Sequence, residues 1–244
     1  MAQIYLVRHG QASFGNQNYD QLSELGKEQA QHLGRWWAAR DLSVSRVVTG
    51  KLHRHVQTAR AAIACLQGIA EDRLNVADWE CDPDFNEYHH HEVLAKHVPA
   101  FDDPAEVKRF LLTTPNGKQA FQDIFAQAIT RWMSGQFDQE YSETWTAFRQ
   151  RCIAALERQI HHPDTAKNIV IFTSGGTISA ICQHVLDFPD AKFSELNWSL
   201  VNSAVTRLHL QPPSEGKPAR LALAYLNNFA HLEQLNLPKH ITYV

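Results

Sequence analysis

Arg8, His9 and Gly10 stand directly after the apolar run Ile4-Tyr5-Leu6-Val7. A run of that kind reads as a buried strand, and ligands of open α/β sheets gather where such strands end. The three residue types are suited to an oxyanion. An imidazole can attack, a guanidinium can grip a phosphate in a fork, and a glycine lets the backbone approach closely. Two further segments carry related chemistry. One is Thr49 to Ala59, which contains Lys51, Arg54, Gln57 and Thr58. The other is Thr173-Ser174-Gly175-Gly176, which follows the apolar run Ile169-Val170-Ile171-Phe172. Small residues there open a helix whose free N–H groups make an anion seat. A tripeptide alone is weak testimony, so the weight falls on all three segments together.

The elements that must position these groups read as an α/β chain. Strand signals cover Ile4–Val7, Val44–Thr49, Asn168–Phe172, Ala204–Leu210 and Leu221–Leu226. Ser23 caps a helix running to about Arg40, with Leu25, Ala30, Leu33 and Trp37 at helical spacing. Further helices are expected over His53–Gln67, Trp145–Ile160 and about Ile178–Leu186. Strand, helix, strand, helix in the first 70 residues favours a parallel sheet with crossover helices. The middle differs: Glu92–Val98, Pro104–Leu112 and Gln119–Ser134 read as helices, with little strand character from Glu71 to Glu143. Loops are expected at Gln11–Gln21 and at the turn Pro212–Gly216. The expected architecture is a single α/β domain over residues 1–244. It is a three-layer sandwich, a mainly parallel sheet with helices on both faces, and a helical insertion over about 88–143 lies over the sheet as either a candidate lid or a packing layer.

Composition narrows the functions. Hydrophobic residues make up 44% and charged residues 20% of 244, an ordinary balance for a globular chain. A net charge of −3 gives no general attraction to nucleic acid or acidic membranes, so any anion must be held by a local cluster of cations. No run of 18 apolar residues is present, and the chain enters a strand almost at once, leaving no room for a leader. Cys65, Cys81, Cys152 and Cys182 lack paired metal spacing and read as reduced packing thiols of a cytoplasmic protein. His89-His90-His91 cannot all face one ion from regular structure, and reads as a solvated or lid-edge run. Trp36 and Trp37 read as core.

Together, Arg8-His9-Gly10, the Arg54 segment ending Gln57-Thr58-Ala59, and Leu22-Ser23-Glu24-Leu25-Gly26 resemble the histidine phosphatase superfamily, also called the phosphoglycerate mutase-like family. The resemblance spans nearly the whole chain. It implies that His9 is the nucleophile, that Arg8 and Arg54 hold phosphoryl oxygens, and that Glu87 donates a proton to the leaving oxygen. The implied activity is a metal-independent phosphomonoester hydrolase with a phosphohistidine intermediate and no cofactor. A metal is not required in principle, because positioned cations stabilise the charge spread over the transferring group. Gln11, Ser13 and Asn16, in the loop after the nucleophile, and Gly175, opening the later helix, are further phosphate-binding candidates. Expected partners are a phosphorylated small molecule or a phosphoprotein substrate, without nucleic acid or membrane, and a homodimer is compatible with the chain.

One residue departs from the family pattern. Ser174 stands where the family normally places a second histidine. A neutral hydrogen bond contributes about 0.5–1.5 kcal/mol and one to a charged group about 1.5–3 kcal/mol. A deficit of roughly 1–1.5 kcal/mol corresponds to about a tenfold slower step, which leaves an enzyme. A hydroxyl that fails to reach leaves instead a weak or inactive relative that binds a phosphorylated ligand or protein. Ser174 as a hydrolase nucleophile fails on spacing, since Phe172 stands where the nucleophile elbow wants glycine.

Overall fold

The computed structural model describes residues 2–13, 20–164, 166–211 and 220–243. Asn16 and the Pro212–Gly216 turn lie outside the described residues. Among these, six strands form one sheet: β1 (Ala2–Arg8), β2 (Arg46–Thr49), β3 (Glu80–Cys81), β4 (Asn168–Thr173), β5 (Val205–Gln211) and β6 (Arg220–Asn228). Their order is β3-β2-β4-β1-β5-β6. β1 pairs parallel with β4, and β2 pairs parallel with both β4 and β3. β5 runs antiparallel to β1 and to β6. The sheet is therefore mixed and mainly parallel, as expected.

Central parallel strands are covered on both faces, so both alternating sets of side chains are apolar. Ile4 and Leu6 of β1 join Val48, Ile169, Ile171 and Leu208 in one core. Tyr5 and Val7 join Val47, Val170, Phe172 and Val205 in the other. The second core is roofed by α1 (Glu24–Ala38), through Leu33 and Trp37, and α2 (His53–Gln67), through Ala59 and Ile63. The first is roofed by α6 (Trp145–Ile160) and α7 (Gly175–Leu186), through Phe148, Leu156, Ile178 and Ile181. α3 (His90–His97), α4 (Pro104–Thr113) and α5 (Gly117–Met133) extend that layer; Trp132 of α5 stacks on Tyr88 at 5.0 Å between ring centroids. α8 (Phe193–Ser199) and the single-turn α9 (Ala230–Glu233) complete the described α-helices.

Helix periodicity places α2 and α6 to the residue. The remaining differences have physical reasons. β3 has two residues and borrows its pairing from Val48 and Thr49, which leaves no periodic signal. α7 starts at Gly175 rather than near Ile178, because two glycines with poor helix propensity open it. Phe193–Ser199 and Ala230–Glu233 are helices too short to announce themselves. Trp37 is core, whereas Trp36 is half-buried and lies under the Arg40 guanidinium, 3.9 Å from its ring centroid. The four cysteines are free thiols; burial pushes those of Cys152 and Cys182 up to about 12. Among the described residues no helix is long and apolar enough to cross a membrane.

The turn after β1 is seated on the first turn of α1, backbone against backbone. A Cβ on Gly10 would stand 2.2 Å from the Gly26 carbonyl oxygen, and one on Gly26 would stand 2.1 Å from that of Gln11. Ser23 caps α1 as expected, its Oγ accepting from Gly26 N at 3.0 Å. Gly26→Ala must push these two backbones apart. It should destabilise the protein by about 1–3 kcal/mol, read as a lower urea midpoint at unchanged m-value.

Candidate active site

Arg8, His9, Thr49, Gly50, Thr173 and Ser174 meet at the carboxyl ends of three adjacent strands, β2, β4 and β1. The backbone fixes them. His9 N donates to Thr173 O at 2.9 Å and Gly50 N to Phe172 O at 3.1 Å. The His9 carbonyl accepts from Ser203 N and from Asn202 Nδ2, both at 3.2 Å. His9 Nδ1 lies 2.7 Å from Gly10 O. A carbonyl can only accept, so Nδ1 carries the proton and Nε2 presents its lone pair.

α2 supplies the second cation and locks the loop. Thr58 Oγ1 accepts from Gly10 N at 3.0 Å and donates to Arg54 O at 2.6 Å. Gln57 Oε1 accepts from Leu22 N at 2.8 Å. Arg54 and Gln57-Thr58 are thus linked to the Arg8-His9-Gly10 turn by hydrogen bonds. Asp20 holds Arg54 Nη1 at 2.9 Å and caps the helix start through His53 N at 2.9 Å. Arg8 Nη1 donates to Leu200 O. Arg8, His9 and Arg54 are all buried, with 8%, 7% and 5% of their surface exposed.

This setting shifts the imidazole. Burial, then the Arg54 and Arg8 guanidinium groups and His55, hold His9 well below the usual histidine value, against a smaller opposing pull from Gly10 O. His9 is therefore neutral at ambient pH and its Nε2 is available to attack.

Glu87 faces the same end of the sheet from the other layer. Thr173 Oγ1 donates to Phe85 O at 2.5 Å and Thr177 Oγ1 to Asn86 O at 3.0 Å. Arg151 Nη1 donates to Asp84 O and Asn86 O, each at 2.8 Å. This cradle sets Glu87 Oε2 3.1 Å from Gly176 N in the first turn of α7. Burial raises the carboxyl above its ordinary value, although Gly176 N, Arg54, Tyr88 N and Arg8 pull it down. The neighbouring acids are otherwise engaged: Asp82 and Asp84 hold Arg158, and Glu92 holds Ser142.

The other expected site residues divide. Ser174 is fully buried and Gly175 lies against Arg8, where a Cβ would stand 3.4 Å from Nε. Gln11 and Ser13 direct hydrogen bonds into the scaffold: Gln11 Oε1 accepts from Ser23 Oγ at 2.8 Å, and Ser13 Oγ donates to Leu22 O at 3.0 Å. Asn16 is not among the described residues. His89 and His91 are exposed. Sequence reasoning singled out neither Asp20 nor His55. His55 is fully buried, with its Nε2 2.6 Å from Ser174 Oγ and its ring centroid 5.8 Å from that of His9.

A central mixed sheet with a histidine and one guanidinium at the tip of β1, and a second guanidinium supplied by α2, defines a class. The chain belongs to the histidine phosphatase superfamily (branch 1), whose family model matches residues 4–110 and 111–217. No curated protein matches it in sequence. Among solved structures it is similar to a phosphoserine phosphatase from Entamoeba histolytica bound to phosphoserine, at 13% identity and a TM-score of 0.62, covering 95% of this chain and 100% of that one. It is also similar to a phosphoglycerate mutase from Bacillus anthracis, at 16% identity and a TM-score of 0.61, covering 96% of each chain. A putative α-ribazole-5′-phosphate phosphatase from Escherichia coli matches at 18% identity and a TM-score of 0.59, covering 94% of this chain and 98% of that one. At these identities the likeness is one of fold.

The raised Glu87 carboxyl has a stability consequence. The unfolded chain loses this proton near 4.5, the folded chain at a higher pH, so the folded state binds more protons between the two. Stability from this group is complete below about pH 4.5 and is lost as pH rises through the folded value. Glu87→Gln, which keeps an acceptor for Gly176 N but cannot ionise, should raise the thermal midpoint at pH 7–8. That advantage should vanish near pH 4, in melts recorded across the range.

Proposed function

We propose that this chain hydrolyses phosphomonoesters through a phosphohistidine on His9. The observation that carries the reading is the His9 ring itself. Its Nδ1 is engaged by Gly10 O, and burial together with the Arg54 and Arg8 guanidinium groups keeps it neutral. A phosphomonoester dianion supplies the charge those cations lack, and spreads it over three oxygens during transfer. His9 Nε2 forms the bond to phosphorus as the ester P–O bond breaks. Protonated Glu87 gives its proton to the departing oxygen. Water then attacks phosphorus, the N–P bond breaks, and the water proton returns to Glu87. Arg8 and Arg54 grip the oxygens in both steps. The chemistry uses neither cofactor nor metal. We further propose that α3 to α5, within about 88–143, form a lid that selects a phosphorylated small molecule or phosphoprotein. We place the protein in the cytoplasm.

The reading is tested by phosphate release from a panel of phosphorylated metabolites and one phosphopeptide. His9→Ala should abolish release, and the wild type alone should yield an acid-labile phosphoenzyme on rapid quench. Arg8→Ala and Arg54→Ala should each lower kcat/KM by roughly 100- to 1000-fold. A chelator should leave the rate unchanged. Release persisting in His9→Ala would overturn the nucleophile, and no release from any compound would favour a module that binds phosphorylated ligands without turning them over.

A further inference from the structure

Ser174 precedes the first turn of α7, where a serine ordinarily accepts from a backbone N–H of that turn. It makes no such cap. Its hydroxyl turns instead to His55, with Oγ 2.6 Å from Nε2, and both side chains are fully buried. The two residues are 119 positions apart in sequence. The pair sits beside the nucleophile. Ser174 follows Thr173, whose carbonyl accepts from His9 N at 2.9 Å, and the His55 and His9 rings are 5.8 Å apart at an interplanar angle of 32°. Room for the His55 ring comes from Gly50, where a Cβ would stand 2.3 Å from Nδ1. A glycine on β2's exit, a histidine on α2 and a serine on β4's exit therefore form one fitted arrangement.

The direction of the 2.6 Å hydrogen bond follows from the other ring nitrogen. His55 Nδ1 is buried and, among the described residues, has no hydrogen-bond partner. A buried N–H without an acceptor is tolerated less readily than a buried lone pair without a donor. Nδ1 therefore holds the lone pair and Nε2 holds the proton. Burial and the Arg54 guanidinium keep the ring uncharged.

We infer that His55 and Ser174 act as one unit, in which His55 Nε2–H donates to Ser174 Oγ and so frees the Ser174 hydroxyl hydrogen to donate to the phosphoryl group at His9. Ser174 meets the phosphoryl oxygen, and His55 is a positioning residue acting through it. With the opposite direction of donation, Ser174 would turn lone pairs toward an anion. This inference rests on the reading of His9 as a phosphoryl acceptor and extends it. It places an imidazole behind the serine that stands where the resemblance leads one to expect an imidazole.

The test combines kinetics, inorganic phosphate binding by calorimetry, and imidazole 15N spectra. Ser174→Ala should weaken phosphate binding and lower kcat, together by roughly 10- to 100-fold. His55→Phe, which keeps the ring volume and removes the donor, should cost the same. The double variant should lose no more than either single one, because all three lose the same directed donation to the phosphoryl group. His55→Gln, which carries an N–H where Nε2 was, should recover most of the loss. The wild-type spectrum should show His55 protonated at Nε2. Losses that multiply, a His55→Phe enzyme within twofold of wild type, or a His55 protonated at Nδ1 would each overturn the inference. If His55→Phe does not fold, His55→Gln and the spectrum decide. A wild type that binds phosphate in the expected Ser174- and His55-dependent way but never turns over a substrate would overturn the hydrolase reading alone. Normal turnover with phosphate binding indifferent to Ser174→Ala would overturn this inference alone.

Discussion

Two guanidinium groups buried beside one imidazole set the conditions for everything else in this molecule. A buried cation is costly unless it is paired, and removing its partner is severely destabilising. Here Leu200 O meets Arg8 and the Asp20 carboxylate meets Arg54. Burial first, and then the positive field that remains, hold His9 neutral, and a neutral imidazole is what a nucleophilic role demands. Parallel pairing of β1, β4 and β2 brings the three strand ends side by side, and the apolar side chains on both faces fix their register.

Holding those cations in place requires a rigid turn, and the rigidity comes from backbone contact. Gly10 and Gly26 let the loop after β1 lie on α1 with no side chain between them. Thr58 then joins that loop to α2 by accepting from Gly10 N and donating to Arg54 O. A change at any one of these positions moves His9 relative to Arg54. Motifs 40 or more residues apart in sequence thus form one hydrogen-bonded unit, of which Thr58 is the joint.

Much of this was legible in the chain. β1 and β4 show as apolar runs because both their faces are covered, and α2 and α6 show their buried stripes at helical spacing. The locations of Arg8, His9 and Arg54 followed from those elements. Other parts were hidden because their meaning lies in distant partners. Glu87 was named only through the resemblance, and the cradle that aims it at α7 comes from Arg151, Thr173 and Thr177, residues far away in sequence. His55 looked like another polar residue on a helix, and only its contact with Ser174 marks it out. Gln11 and Ser13 drew attention by proximity to His9, yet their hydrogen bonds hold the loop to α1 and to Leu22. Propensity alone could not show β3, whose two residues are ordered by the strand beside them.

On the proposed reading, the Asp20 carboxylate bears on the rhythm of a reaction cycle. It engages Arg54 Nη1 and His53 N, and so reduces the pull of that guanidinium on any incoming anion. Entry of a dianion is thereby opposed a little, and so is retention of inorganic phosphate once hydrolysis is over. On the proposed hydrolase reading, an acid that shares Arg54 with the bound anion weakens the hold on substrate and product alike, and so favours exchange of one for the other.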